Sequence, residues 1–222
     1  MSAWHATTKL KSSTNSGIFV ERESQLGFAK PNGIERERLA SCLAVIAGAP
    51  VPYVEISEVE GAGLFAISYV HSVASEVLAS KEKLTRVYSV AERKALKLAS
   101  GLLPFLAWVS ADDHHGDDTN LVRDTIGEDE YRIVAIDFEH AFGWEHGPDK
   151  LVLPQPPALI NNLDRNCLED RLTAIEKITH EQIAQCCADA GYDCAETTEI
   201  ADILLIRKGL LRKSSGEQGW LG

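Results

Sequence analysis

The 222-residue chain is 45% hydrophobic and 25% charged, the composition of a folded protein with a sizeable core, in one large domain or two small lobes. Its formal net charge of −11 argues against non-specific binding to nucleic acid or to anionic membranes. It leaves ATP open, because one local basic group plus magnesium can outweigh a distant negative field.

The N-terminal stretch predicts strands. "AWHATTKL" has mixed alternation, "GIFVERE" reads as a strand, and "QLGFAKP" is a short one stopped by Pro31. Between the first two lies the small, polar "KSSTNSG". It is either a hairpin loop or a cover for phosphates through its backbone N–H groups. "GIERERLASCLAVIAG" follows as a helix, with Leu39, Leu43 and Ile46 at helical spacing and Gly48 where a C-terminal cap belongs. "APVPYVEISEVEGAGLFAISYV" gives two more strands about a turn at Gly61 and Gly63. Residues 1–70 are therefore expected to form a small β-rich lobe.

Residues 71–222 are expected to be mainly helical. "SVAERKALKLASGLLPFLAWV" opens with Ser89 and Glu92 in capping-box spacing. Gly101 and Pro104 break or kink it, giving two helices. "NLVRDT", "GEDE" and "YRIVAIDF" read as strand, polar turn and strand. "LPQPP" is a Pro-rich connector. "THEQIAQCCADAG" has a second capping box, Thr179 with Gln182, and ends at Gly191. "TEIADILLIRKGLLRK" closes the chain as a helix with basic residues near its end, as the dipole favours.

The five cysteines are Cys42, Cys167, Cys186, Cys187 and Cys194. Their number is odd and none forms a CxxC pair, which fits a reduced, cytoplasmic protein. Adjacent Cys186 and Cys187 point in different directions on a helix, which argues against a zinc site completed by Cys194. The N-terminus lacks the apolar core of a signal peptide, and no apolar run is long enough to span a bilayer.

Three groups of polar residues carry candidate chemistry. Asp137 follows the apolar run "YRIVAI". Buried there, it needs a partner or a metal; otherwise the strand simply ends and the acid faces water. The stretch "ADDHHGDDTNLV" offers Asp112, Asp113, His114, His115, Asp117, Asp118 and Asn120. Magnesium takes one or two carboxylates plus substrate phosphates, and kinases use an Asp, a following Asn and a second Asp beyond a hairpin for phosphoryl transfer. A solvated acidic turn accounts for any one of these acids taken alone. Lys30 ends a strand, placed to reach nucleotide phosphates or merely exposed at a strand end. Glu35 and Glu37 either pair with it or line a solvated helix face.

With these residues assembled, the sequence resembles the HipA-like kinases, relatives of the protein kinases and phosphatidylinositol kinases. The resemblance is carried in order by "FAKP", "ERLASCLAVIAGAPVPYVEI", "FLAWVSADDHHGDDTNLV" and "YRIVAIDFEHAFGW". It implies an α+β, protein-kinase-like two-lobed fold, with a β-rich N-lobe at 1–70 and a helical C-lobe at 71–222. It implies a magnesium-dependent ATP phosphotransferase acting on a protein or small-molecule hydroxyl. Lys30 would meet the nucleotide phosphates, with Glu37 as its helix partner. Asp113 would orient the acceptor hydroxyl, with His115 in the loop, and Asn120 and Asp137 would bind magnesium. Tyr69 and Val70 would fall at the lobe junction, where backbone groups meet adenine.

The chain departs from the family pattern in two places. Asp113 and Asn120 are seven residues apart, more than in the H-R-D-x-x-x-x-N loop of kinases, so Asp112, Asp117 or Asp118 is an alternative for one of the roles. Glu139 stands where a DFG-like motif has glycine. Two other functions remain compatible with the residues: a catalytically inactive nucleotide-binding pseudokinase or scaffold, and a metal-dependent phosphoesterase built on the Asp/His cluster.

Overall fold

The computed structural model describes residues 2–7, 17–70, 76–78, 87–114, 118–143 and 147–221. The fold is α+β, as expected. A five-stranded antiparallel sheet runs in the order β1-β2-β3-β5-β4, from β1 (His5–Ala6), β2 (Ile18–Arg22), β3 (Gln25–Lys30), β4 (Val54–Val59) and β5 (Gly63–Val70). The β2–β3 hairpin pairs Phe19 with Phe28 and Val20 with Gly27. Trp4 bridges Val59 on the far edge strand, and the Glu60 amide donates to the Trp4 carbonyl at 3.0 Å. The sheet therefore curls until its two edges meet. Trp4, Val20, Ala29, Val59, Phe65 and Ile67 fill the inside of the curl. Because strand side chains alternate, Phe19, Phe28 and Lys30 lie on the outer face.

Helix α1 (Ile34–Ala47) packs on β4 and β5. It ends at Gly48, whose φ of 68° is the left-handed cap conformation that glycine adopts most easily. Ser41 ties the helix to the start of β4: its hydroxyl accepts from the Val54 amide and donates to the Pro52 carbonyl, both at 3.0 Å.

The rest is mainly helical. A short β6 (Glu76–Val77) joins the hairpin of β7 (Leu121–Gly127) and β8 (Glu130–Ala135) in a second, three-stranded sheet. Helices α2 (Val90–Ala99) and α3 (Leu102–Trp108) are separated at Ser100 and Gly101, and the expected Ser89–Glu92 capping box is formed. Pro104 does not break α3, because it sits in the first turn, where its missing N–H costs nothing. After α4 (Pro157–Ile160) come α5 (Arg165–Glu176), α6 (His180–Ala190) and α7 (Cys194–Glu217). The Thr179–Gln182 capping box and the left-handed Gly191 bound α6 as expected. The sequence reading assigned no element to α4, α5 or β6. Helix α5 starts on the Asp164 side-chain cap and buries Leu168, Leu172 and Ile175, an apolar stripe too thin to stand out among its charged neighbours.

One core joins these parts. Leu39 and Leu43 of α1, Phe105 and Trp108 of α3, Leu172 of α5, Ile183 of α6 and Leu204 of α7 belong to a single buried cluster. The Trp108 indole N–H donates to the Leu204 carbonyl at 2.8 Å, which satisfies the one polar atom of a fully buried side chain. Among the described residues, no helix is long and apolar enough to cross a membrane.

Leu172 is fully buried in this cluster. We expect Leu172→Ala to lower unfolding stability by about 2–5 kcal/mol, read by urea denaturation. A loss under about 0.5 kcal/mol, the size typical of a surface position, would contradict this packing.

Candidate active site

Lys30 is the last residue of β3 and is buried. Its Nζ donates to Glu37 Oε1 at 2.9 Å and to Asp137 Oδ1 at 2.5 Å. Glu37 lies in the first turn of α1, 2% exposed. Its Oε1 also accepts from the Phe138 amide at 2.9 Å. Glu35, the other candidate partner, is exposed. The three side chains thus bring together a strand end, a helix start and the segment after β8.

That convergence requires a close approach at Gly33, which caps α1 with φ 59°. A Cβ there would lie 2.5 Å from Glu139 Cβ and 2.8 Å from Glu139 Cα. Glycine is therefore needed both for the backbone conformation and for the contact. Arg36 closes the same contact by donating to the Glu139 carbonyl at 3.1 Å. The Glu139 side chain turns to His140, 3.2 Å away.

Burial alone would lower the pKa of Lys30. The attraction of Glu37, with the hydrogen bond and charge of Asp137, outweighs burial and holds Lys30 above the ordinary lysine value. For Glu37, burial pushes the pKa up, and the Lys30 charge and the Phe138 amide offset this only in part. The two directions conflict over the protonation of the pair. Geometry decides for the ionised pair: two N–H donors converge on one Glu37 oxygen, which suits a carboxylate accepting on that oxygen.

Asp137 follows β8 by two residues and has φ 68°, left-handed for a non-glycine residue. Its side chain is one-third exposed, so it lies at the edge of the core. Next to it Phe138 is buried, with its ring 6.2 Å from Phe105 and stacked at 5.3 Å on the His114 imidazole. His114 is itself buried, in the 3-10 turn Asp112–His114.

The Asp113 carbonyl accepts from Asn120 Nδ2 at 3.2 Å, and the Asn120 carbonyl accepts from the Ile136 amide at 3.0 Å. Asn120 therefore sits at the same end of the β7–β8 hairpin as Asp137. Asp113 is exposed. Asp118 turns inward, and its carboxylate accepts from the Ala158 amide at 2.9 and 3.1 Å, at the start of α4. His115 and Asp117 lie outside the described residues.

Tyr69 does not join this cluster. Its hydroxyl donates to Glu55 Oε2 at 2.6 Å and accepts from Arg22 Nη2 at 2.8 Å, and its ring packs 5.9 Å from Trp4. That is the inside of the curl, opposite Lys30. Its amide donates to the Tyr53 carbonyl at 2.9 Å. The Val70 backbone pairs with Leu26.

The sequence analysis gave His114 no role of its own and did not single out the Phe19–Phe28 pair, whose rings lie 5.1 Å apart on the Lys30 face, with Gly17 against the Phe28 ring. The two-residue turn between "FVER" and "QLGF" would have paired the phenylalanines. Nothing in the sequence separates His114 from His115.

The fold has known relatives. A Helicobacter pylori proinflammatory kinase, CtkA, superposes with a TM-score of 0.64 at 13% identity, covering 96% of this chain and 95% of that one. The fold is protein-kinase-like. Two further solved structures are similar at lower scores. WaaP in complex with acyl carrier protein gives TM-score 0.43 at 12% identity, covering 97% of this chain and 86% of that one. HipA from a Shewanella oneidensis toxin–antitoxin complex with HipB and operator DNA gives 0.48 at 12% identity, covering 93% and 66%. No protein-family model matches the sequence, and no curated protein does either.

Lys30→Met leaves the Glu37 carboxylate buried without its cation, and we expect a loss of about 3–5 kcal/mol. A raised lysine pKa contributes stability that is complete below the unfolded value and lost as pH rises through the folded one. The difference between wild type and Lys30→Met should therefore hold between about pH 8 and 10 and shrink above that range. Urea titrations across pH check this. A difference absent between about pH 8 and 10 would show that Lys30 is not ion-paired.

Proposed function

We propose that the chain is a magnesium-dependent ATP phosphotransferase of the HipA-like kind, acting on a hydroxyl of a protein or small molecule. The observation that carries this reading is the Lys30 ammonium held between Glu37 and Asp137, with Asn120 at the same hairpin end. In this reading residues 1–70 are the nucleotide-side lobe and residues 71–222 carry the phosphoryl-transfer groups.

The donor set fits magnesium. Asp137 supplies one carboxylate and Asn120 one amide oxygen, since the Asn120 nitrogen is taken by Asp113. Magnesium prefers such a sparse protein set completed by phosphates and water. When bound, magnesium would supply positive charge to offset the charge of the phosphates. Lys30 then exchanges Asp137 for phosphate oxygens while Glu37 keeps it in place. The exposed Asp113 aligns the acceptor hydroxyl and takes its proton, and His115 lies in the same loop. Phe19 and Phe28 offer an apolar surface beside Lys30. Val70 ends the strand leading out of the nucleotide-side lobe, where its backbone would meet adenine.

A second reading, nucleotide binding without turnover, draws on the direct Lys30–Asp137 contact, which occupies the carboxylate that would hold the metal. Phosphoryl transfer to an acceptor or to water separates the two readings. A metal-dependent phosphoesterase would instead cleave phosphoesters without ATP and be insensitive to changes at Lys30.

With nucleotide at about a hundred times Kd, binding stabilises by about 2.7 kcal/mol, a Tm rise of about 5–10 °C for a chain of this size. We expect magnesium and ATP together to produce that rise in the wild type. Asp137→Ala should abolish it while circular dichroism stays native, because the Asp137 side chain is partly exposed. No rise in the wild type would overturn the reading.

A further inference from the structure

Helix α7 buries Ile200, Ile203, Leu204 and Leu211 at helical spacing, and Arg207 falls in the same stripe, fully buried. A leucine there would fill the stripe without the cost of burying a guanidinium. The guanidinium serves backbone carbonyls instead. Its Nη1 donates to Phe142 at 2.5 Å, and its Nη2 donates to Gly143 at 3.1 Å and Gly147 at 3.4 Å. All three acceptors lie beyond Asp137 on one stretch of backbone. We propose that Arg207 is a positioning residue: it fixes this stretch from the last helix and so holds the Asp137 carboxylate ready for a divalent cation. The metal half of this role rests on the phosphotransferase reading, whereas the anchoring stands on the hydrogen bonds alone.

The stretch needs an anchor. Phe142 has φ 80° and Gly143 φ 42°, and a left-handed backbone is strained for a residue as bulky as phenylalanine. Both backbone polar groups of Phe142 are held: the amide donates to the Val109 carbonyl, and the carbonyl accepts from Arg207. The two holds belong to one block. Val109 follows α3, and Trp108 at the end of α3 donates to the Leu204 carbonyl at 2.8 Å, about one turn of α7 before Arg207.

The hold reaches Asp137 through buried groups. The Ala141 amide donates to the Phe138 carbonyl at 3.0 Å, closing a turn between Phe142 and Asp137. Ala141 and Phe138 are both buried, so the turn has little room to shift independently of its neighbours. Glu37 and Arg36, which grip Phe138 and Glu139, come from α1. Arg207 adds a grip from the C-terminal helices. Its planar fork spans several carbonyls at fixed geometry, which the single nitrogen of a lysine does not reproduce.

The test titrates the full chain with ATP, once with magnesium and once with EDTA, in wild type, Arg207→Lys, Arg207→Gln and Leu211→Ala. Leu211 is buried in the same stripe and reports plain loosening of α7. We expect magnesium to tighten ATP binding in the wild type. Arg207→Lys and Arg207→Gln should lose about tenfold of that gain and keep the metal-free affinity. Leu211→Ala should lower Tm and keep the gain. Hydrogen exchange of the nucleotide-free protein is a second readout: amides of residues 137–143 should exchange faster in Arg207→Lys, with α3 unchanged. A folded Arg207 variant that keeps the full gain overturns the proposal. So does an equal loss of gain in Leu211→Ala, or an equal loss with and without magnesium in the Arg207 variants. No magnesium gain in the wild type instead defeats the phosphotransferase reading, while unchanged exchange at 137–143 defeats the anchoring.

Discussion

Burying an ammonium group is costly unless anions meet it inside the protein. In this chain two carboxylates meet Lys30, and they come from sequence positions 7 and 107 residues away. The first is local: β3 ends, the chain turns at Gly33, and Glu37 falls on the first turn of α1. The second requires the segment after β8 to press against that turn. The Lys30 ion pairs are thus satisfied only when the sheet, α1 and the β7–β8 hairpin are assembled together. In effect, one cation checks the assembly of three parts of the chain.

The segment carrying Asp137 is held from two sides. On the Lys30 side, Glu37 binds the Phe138 amide and Arg36 binds the Glu139 carbonyl. On the other side, the fully buried Arg207 of α7 donates to the carbonyls of Phe142 at 2.5 Å, Gly143 at 3.1 Å and Gly147 at 3.4 Å. The Phe142 amide donates to Val109 at the end of α3. Positive φ at Asp137, Phe142 and Gly143 is tolerated because these bonds over-determine the backbone. Such a held, slightly strained segment beside a partly exposed carboxylate suits a group that must exchange one partner for another without the loop collapsing.

Much of the fold was legible because its signals are local. Alternation marked β2, β3, β4 and β5, glycine marked the ends of α1 and α6, and serine and threonine capping boxes marked the starts of α2 and α6. What escaped depends on distant partners. Asp118 looks like its acidic neighbours in sequence, and only the Ala158 amide, 40 residues on, makes it a helix anchor. The proximity of Lys30 and Asp137 had a sequence rationale, but their direct contact did not, because it depends on Gly33 admitting Glu139.

The central claim is that Lys30 exchanges Asp137 for phosphate while keeping Glu37. A crystal structure of the chain with magnesium and a non-hydrolysable ATP analogue tests it most directly. We expect the Lys30 ammonium on phosphate oxygens and Glu37, and the carboxylate of Asp137 turned to the metal with Asn120. A nucleotide bound away from Lys30, or a Lys30–Asp137 contact unchanged beside bound nucleotide, would contradict it.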